Sequence, residues 1–278
     1  NYLDYIRTYP NVPRSSLQIA ELIFLLETSL RQLDISSPLM PDIAHKQQVV
    51  YRYLSNDRKL SAEVLDFLPE STKLIALRHI RARRHFLSMS SNRPKPDELP
   101  AWEIISPPRA NKLLSFYKKA ESLTGIEWEV LAAINLVETG MGRISGLSVA
   151  GAKGPMQFLQ STWDLPGVGN GLDINDPEDS IQAAARYLVQ RGGLKDIKEG
   201  LWGYNNSDYY GSAVLEYANI LKDDPRSFNG FYYWEIHFNS AIGDIWLPLG
   251  YKQKRSIPIS TYLNQFPASA PPHYSFNN

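Results

Sequence analysis

The sequence Val130-Leu-Ala-Ala-Ile-Asn-Leu-Val-Glu-Thr139, followed closely by Ser148-Val-Ala-Gly-Ala-Lys-Gly-Pro-Met-Gln157, decides the fold of this chain. The first segment is apolar along most of its length, which is typical of a helix buried in a protein core. Leu131, Ile134 and Glu138 stand at positions i, i+3 and i+7, so they share one side of that helix. The pattern predicts a buried helix with a single carboxyl group near its end.

The second segment is a turn that combines glycines with hydrogen-bonding side chains. Gly151 and Gly154 allow backbone conformations that are closed to other residues, so the turn can bring main-chain amides close to a ligand. Ser148 and Gln157 add side-chain hydrogen bonds in the same place. Desolvation on the apolar side of the helix is expected to raise the pKa of Glu138, so that it can act as a general acid. The combination favours an acid/base enzyme that cuts sugars over an ordinary glutamate facing solvent.

Composition excludes several other classes of protein. The 278 residues are 43% hydrophobic, which is enough for one large core or two smaller ones. Lys+Arg and Asp+Glu number 29 each, so the overall charge gives no reason to expect a nucleic-acid partner. Cysteine is absent, which excludes disulfides and thiolate metal sites. No apolar run approaches the roughly 18 residues of a membrane span, and no signal peptide is visible, which leaves export undecided.

Helical periodicity dominates the N-terminal part of the chain. Ser15 or Ser16 is suited to cap a helix that runs to about Leu33. Three further helices are predicted near 43–55, 62–68 and 72–89, the last two with Ser61 and Ser71 as caps. Residues 92–100 then hold three prolines in nine positions, which is typical of an extended linker.

Start and stop signals frame the helices that follow. Pro107-Pro108 is expected to open a helix that Gly125 closes, and the helix carrying Glu138 should begin near Glu127. Asp176-Pro-Glu-Asp179 supplies a cap, a first-turn proline and first-turn acids, and Gly192-Gly193 ends that helix. In the last part, segments 231–238 and 245–251 flank residues 239–243, which predicts a short hairpin.

The sequence resembles the catalytic domain of the soluble lytic transglycosylase family, which is related to goose-type lysozyme. The resemblance is carried by the acid, the glycine turn and two later motifs. That family carries Glu-Ser near a helix end, then Ser-x-x-Gly-Ala-x-Gly-Leu-Met-Gln, an Asp-Pro-Glu helix start and Tyr-Asn-Ala-Gly. The matching residues here are Glu138-Thr139, Ser148, Gly151-Ala152, Gly154, Met156-Gln157, Asp176-Pro-Glu178 and Tyr204-Asn205. The likeness covers roughly residues 113–217, and it includes neither the first hundred residues nor the C-terminal hairpin.

Several positions depart from the family pattern. Thr139 replaces the usual Ser, Pro155 replaces Leu, and Asn206-Ser207 replaces Ala-Gly. Residues 140–147 also differ from the commoner form that contains Asn-Pro. These changes concern the shape of the sugar subsites and leave the acid and the glycine turn in place.

The resemblance implies a mainly α, lysozyme-like fold with a small C-terminal β-hairpin. We expect an N-terminal helical region at residues 1–91, a proline-rich linker at 92–105, a catalytic domain at 106–224, and a hairpin and tail at 225–278. No cofactor and no metal are implied. The implied partner is the glycan strand of peptidoglycan, which would locate the protein in the cell envelope, periplasmic or extracellular; protein partners are unknown.

The resemblance also implies a mechanism. Glu138 would protonate the oxygen between N-acetylmuramic acid and N-acetylglucosamine, assisted by the substrate's own N-acetyl group in place of a second carboxylate. It would then take the proton of the C6 hydroxyl and so give a 1,6-anhydro end. Ser148 would hold the N-acetyl group or Glu138, and Met156 and Gln157 would line the groove. Tyr204 and Asn205 would hydrogen-bond the catalytic carboxyl or the sugar.

Two other functions stay open. A muramidase would hydrolyse the same bond and would need a carboxylate that positions water, such as Asp164 or Asp173. A catalytically weak glycan-binding protein would use the fold as an anchor, although an intact Glu138 argues against it.

Other groups of residues favour structural roles. Residues 173–179 are explained better by helix capping than by a calcium loop, and the five histidines show no paired metal-ligand spacing. The basic segment 78–85 favours a solvated helix face over a site for an anionic polymer such as teichoic acid. Trp234 and Trp246 could equally stack on sugars or pack in a core.

Overall fold

The computed structural model describes residues 7–274; residues 1–6 of the predicted N-terminal region and 275–278 of the predicted tail lie outside the described part. The described helices are α1 Ser16–Gln32, α2 Met40–Leu54, α3 Arg58–Asp66, α4 Glu70–Ser90, α5 Ala110–Thr124, α6 Trp128–Thr139, α7 Gln160–Trp163, α8 Pro177–Gln190, α9 Ile197–Tyr204, α10 Asp208–Asp223, α11 Phe228–Tyr232 and α12 Ile259–Gln265. The strands are β1 Glu98–Leu99, β2 Glu103–Ile104, β3 Ile144–Ser145, β4 Ile236–Ser240, β5 Gly243–Leu247 and β6 Ile257–Pro258. The predicted mainly α fold with a small β extension is confirmed.

Several predicted helix boundaries are confirmed by their caps. The Ser15 hydroxyl accepts a hydrogen bond from the Gln18 amide at the start of α1. Asp176 caps α8 in the same way by accepting from the Asp179 amide. Gly125 ends α5 in the left-handed conformation at φ 84°, which satisfies the last carbonyls of that helix.

Two predicted caps are wrong. Helix α3 begins at Arg58, because the Asp57 carboxylate accepts from the Leu60 amide and caps the helix earlier than Ser61. Ser61 lies inside the helix, where its hydroxyl donates to the Arg58 carbonyl. Helix α4 likewise begins at Glu70, directly after Pro69, and not at Ser71.

Helix α6 lies at the centre of the largest core. It packs against α5 and α10, and residues 130–136 are all buried. Leu30, Met40 and Ala82 of the N-terminal helices belong to the same core. Helix α4 also packs along α10, so the N-terminal helices are joined to the helices around Glu138 by continuous apolar contact.

The proline-rich segment leads into a small β layer. Leu99 of β1 pairs with Ile257 of β6, and Ile104 of β2 pairs with Ile144 of β3 directly after α6. Leu99 is fully buried in a separate core with residues of β5 and α12. The segment therefore continues the chain from α4 to α5, and it also pairs with a strand of the C-terminal extension.

The predicted hairpin is present, but its first strand is shorter than predicted. Strands β4 and β5 pair from Ile236↔Leu247 to Ser240↔Gly243. Phe231 and Tyr232 of the predicted segment lie in α11, and β4 begins only at Ile236. Phe231 and Trp234 are three positions apart and both buried, at 2% and 8% exposure, so the aromatic cluster follows a helical spacing.

Within residues 7–274, none of the helices combines the length and the apolar character needed to cross a membrane.

Candidate active site

Glu138 lies in the last turn of α6, where Gly140 ends the helix with a left-handed φ of 60°. Its Oε1 accepts a hydrogen bond of 2.7 Å from the Tyr210 hydroxyl. Burial raises the pKa of Glu138 to about 7, and the bond from Tyr210 opposes that shift without cancelling it. A carboxyl group with this pKa is present in both protonation states near neutral pH, which suits a general acid that later acts as a base.

Tyr210 is a site residue that sequence reasoning missed. It lies in the first turn of α10, is 2% exposed, and stacks on Tyr204 with ring centroids 6.4 Å apart. Burial and the neighbouring Glu138 charge raise the pKa of Tyr210 well above its usual value, so its hydroxyl remains a donor. Its only signal in the sequence was the Tyr209-Tyr210 pair that follows Tyr204.

Tyr204 does not bind the carboxyl group of Glu138, which was one of its expected partners. Its hydroxyl donates to the Met156 carbonyl at 2.5 Å and not to Glu138. The Met156 side chain is fully buried, so it packs in the core and does not line an open groove. Tyr204 therefore fixes the backbone of the glycine turn, and it reaches Glu138 only through the stacked ring of Tyr210.

Thr139 ties the end of α6 to the glycine turn. Its hydroxyl donates to the Pro155 carbonyl at 2.6 Å, and the Asn135 amide donates to the same oxygen at 3.1 Å. The Gly142 amide donates back to Thr139 Oγ1 at 3.1 Å. Both departures from the family pattern in this region, Thr139 and Pro155, thus belong to one buried contact beside the acid.

The turn itself is a tight hairpin closed by reciprocal backbone bonds between Lys153 and Phe158. Gly154 has φ 74°, and Gln157 adopts φ 53°, which is uncommon for a residue with a side chain. The Gln157 amide donates to the Gly154 carbonyl at 3.0 Å, and Ser148 Oγ accepts from the Ala152 amide at 3.0 Å. Ser148 and Gln157 thus hold the backbone of the turn.

The predicted site residues are divided between two cavities. Glu138 lines a cavity of about 400 Å³, the Glu138 cavity, between α2, α4, α6, α10 and the hairpin. Gln157, Tyr204 and Asn205 line another of about 470 Å³, together with Tyr187. Ser148 and Met156 line neither. The Tyr204–Tyr210 ring stack connects the second cavity to the carboxyl group of Glu138.

The acids expected for a water-positioning role lie elsewhere. Asp164 accepts from the Gln160 amide and lines a separate cavity, and Asp173 accepts from the Asn175 backbone. Neither lines the Glu138 cavity. Among residues 7–274, the other carboxylate that lines this cavity is Glu235, whose Oε1 forms an ion pair of 2.7 Å with Arg7.

The capping role predicted for residues 173–179 is confirmed. Asp179 Oδ2 accepts from the Asp173 amide, while Asp176 Oδ1 accepts from the Asp179 amide. The carboxylates therefore bind the backbone around the start of α8.

Trp234 and Trp246 both pack in the interior. Trp234 donates from its indole nitrogen to Gln47 Oε1 at 2.9 Å, which connects α2 to the segment after α11. Trp246 is 4% exposed, and its ring lies 4.7 Å from the His45 ring. The packing alternative is therefore correct for both side chains.

Comparison with known proteins gives matches in the same part of the chain. The family model described as the transglycosylase SLT domain matches residues 115–215, a range that contains Glu138, the glycine turn and both tyrosines. The chain is similar to a membrane-bound lytic murein transglycosylase F from Thiobacillus denitrificans, with 35% identity over 132 residues, 44% of this chain and 27% of the relative.

A protein of the same name from Methylobacillus flagellatus is 36% identical over 93 residues, 32% of this chain and 18% of the relative. The matched part of the chain thus spans about a quarter or less of the length of these curated relatives. No solved structure gives a significant match. Residues 115–215 thus carry a match to the transglycosylase SLT domain, and the similarity to both relatives is consistent with that match.

Proposed function

We propose that this protein is a peptidoglycan lytic transglycosylase in which Glu138 acts first as the acid and then as the base. The observation that carries the proposal is the carboxyl group of Glu138, which desolvation holds at a pKa of about 7 on the wall of an open cavity. Because the substrate is the bacterial cell wall, the proposal locates the protein in the cell envelope, periplasmic or extracellular.

In the first step, protonated Glu138 donates its proton to the oxygen that joins N-acetylmuramic acid to N-acetylglucosamine. The bond from that oxygen to the muramic acid anomeric carbon breaks, and the substrate's N-acetyl oxygen supports the positive charge that develops there. In the second step, ionised Glu138 takes the proton of the C6 hydroxyl, whose oxygen bonds to the anomeric carbon. The product is a 1,6-anhydro end, and no water is consumed.

Tyr210 gives the two oxygens of Glu138 separate roles. Since its hydroxyl donates to Oε1, the transferable proton belongs on Oε2. The same hydrogen bond stabilises the carboxylate after the proton has left. Tyr210 is thus a positioning residue in both steps.

The second cavity is proposed to hold a neighbouring sugar of the strand. Gln157, Tyr204 and Asn205 line it with amide and hydroxyl groups. Ser148 and Met156 act through the backbone of the turn, by their contacts with the Ala152 amide and the Tyr204 hydroxyl. The catalytic unit is proposed to extend over residues 106–224, with the N-terminal helices and the hairpin closing the Glu138 side.

A hydrolase of the same bond needs a second carboxylate to activate water. Glu235 is the carboxylate that shares the cavity with Glu138, but its charge is paired with Arg7. The ion pair favours the transglycosylase, because a base occupied by a guanidinium group is poorly available for a water proton.

The deciding experiment is digestion of purified peptidoglycan in heavy-oxygen water, followed by mass analysis. The expected muropeptides end in unlabelled 1,6-anhydro-muramic acid, lighter by one water than a reducing end and resistant to borohydride. Heavy oxygen at the new ends would establish hydrolysis instead. Binding without any product would establish the glycan-binding alternative, and Glu138→Gln serves as the inactive control, since it keeps the size of the side chain but has no proton to donate.

A further inference from the structure

The basic segment of α4 is mostly docked against the protein, which differs from the expected solvated face. Arg78 forms ion pairs with Glu216 and Asp223 at 3.6 and 3.1 Å, and Arg84 donates to the Ser55 carbonyl and to Ser61. Arg81 is exposed.

Arg83 alone among these four arginines is turned inward without a partner. It makes no hydrogen bond or ion pair with any residue from 7 to 274, and its Nε atom is buried. An unpartnered buried donor of a charged group costs free energy unless a ligand or solvent satisfies it.

Arg83 lies on a wall between two cavities. One is the Glu138 cavity, and the other, which we call the basic cavity, has a volume of about 480 Å³. The shared wall consists of Arg52, Arg83, Leu87 and Asn239. The guanidinium group of Arg83 is thus accessible from the cavity in which the proposed acid lies.

Positive charge predominates in the basic cavity. Its lining includes Arg14, Arg52, Arg83 and Lys95, and the one carboxylate that the described residues contribute is Asp244. Asp244 has no capacity left for Arg83, because Oδ1 accepts from Arg52 and Oδ2 accepts from Tyr9 and His237. Burial lowers the pKa of Arg83 to about 10, so the group keeps its charge at neutral pH.

We propose that Arg83 binds a carboxylate of the peptide stem attached to the glycan strand. This proposal rests on the proposed function, since it takes peptidoglycan as the substrate. The stem is bonded to the muramic acid whose glycosidic bond Glu138 protonates, so it must leave the Glu138 cavity close to the cleaved bond. A free carboxylate at the shared wall gives Arg83 the charge-assisted partner that residues 7–274 do not provide.

The test compares Arg83→Gln with the wild type on three substrates: strands with free stem carboxylates, strands with amidated stems, and strands from which the stems have been removed. We expect KM on the free-carboxylate strands to rise about tenfold, the scale for losing a hydrogen bond to a charged group. The change on amidated and stem-free strands should be at least fivefold smaller. Arg83→Lys should recover part of the loss.

Arg81→Gln is the matched control, because it removes one positive charge from the exposed side of the same helix. It should leave KM unchanged on all three substrates. Equal effects of Arg83→Gln on all substrates, or no effect on any, would overturn the proposal.

A binding measurement separates this proposal from the proposed function. In the Glu138→Gln background, affinity for stem-bearing strands is measured with and without Arg83→Gln, so that no turnover is needed. If the wild type cleaves none of the strands, the proposed function fails while this binding comparison still tests Arg83. If Arg83→Gln does not fold, competition by free and amidated stem peptides is compared on the Glu138→Gln protein, and equal competition overturns the proposal.

Discussion

The Tyr210 hydroxyl donates a 2.7 Å hydrogen bond to Oε1 of Glu138 across 72 positions of sequence. The contact is made possible by the packing of α10 against α6, which brings the first turn of one helix to the last turn of the other. Two opposing effects act on the carboxyl group: desolvation raises its pKa, and the hydrogen bond lowers it. The larger effect is desolvation, so the group retains a proton at pH values where an exposed glutamate has lost it.

Replacing Tyr210 by Phe should raise the pKa of Glu138 further, because the bond that stabilises the carboxylate is removed. We expect the alkaline limb of the kcat/KM profile to move to higher pH and kcat to fall about tenfold, in line with one hydrogen bond to a charged group. Tyr204→Phe is the matched control, since its hydroxyl binds the Met156 carbonyl instead. An unchanged pH profile in Tyr210→Phe would contradict the assignment.

The raised pKa of Glu138 predicts a cost in stability at high pH. The folded protein holds a proton that the unfolded chain releases above about pH 4.5, so stability is lost as pH rises towards the folded pKa of about 7. Glu138→Gln removes this penalty and keeps an oxygen that accepts from Tyr210. The free energy of unfolding of this variant should therefore exceed that of the wild type at pH 8 by on the order of 1 to 3 kcal/mol, and should match it near pH 4.5. Urea unfolding at both values measures the difference, and equal stability at pH 8 would show that the carboxyl group is not desolvated.

The position of Glu138 near the end of a buried helix and the glycine turn could be predicted from the sequence because their signals are local. A continuous apolar helix, a left-handed glycine and an aspartate cap each act within a few residues. The partner of Glu138 could not be predicted in this way. Tyr204 ends α9 and Tyr210 lies in the first turn of α10, and only the packing of these helices decides which hydroxyl reaches the carboxyl group.

The aromatic segment before the hairpin shows the same limitation. Aromatic residues such as Phe231 and Trp234 are typical of strands. The segment nevertheless begins with a helical turn, because both side chains are buried on one side of it. Arg83 differs from Arg81 only in the direction of its side chain, which depends on how α4 lies against its neighbours.

The glycine turn offers a prediction with a control inside the same loop. A Cβ atom at Gly154 would lie 2.1 Å from the Ile174 carbonyl oxygen, whereas one at Gly151 would meet nothing within 4 Å. Both glycines have positive φ, so Gly151→Ala should lower the free energy of unfolding by about 1 to 2 kcal/mol through backbone strain alone. Gly154→Ala should lower the free energy of unfolding by more than about 2 kcal/mol and abolish most of the activity, because the turn must move. Thermal unfolding and turnover measured on both variants test this, and equal losses would contradict it.

A buried chain of hydrogen bonds joins the N-terminal helices to the hairpin. His237 Nδ1 contacts Asp244 Oδ2 at 2.6 Å, so this nitrogen carries a proton, and its Nε2 must accept from His45 Nε2 at 2.8 Å. His45 Nδ1 then accepts from Arg7 at 3.3 Å. Both rings are neutral in this arrangement, and burial lowers the pKa of each below its usual value.

Acidification should therefore unfold the protein through these histidines. Because their folded pKa values are depressed, the unfolded chain takes up protons first as pH falls below about 6.5, and stability decreases. His45→Gln keeps an amide that donates to His237 but removes one titrating ring. Between pH 6.5 and 5, the slope of its unfolding free energy against pH should be smaller than the wild-type slope by about 1 kcal/mol per pH unit. Glu138 titrates in the opposite direction in both proteins, so it cancels in the comparison. The wild-type slope in His45→Gln would show that His45 is not held neutral in the folded protein.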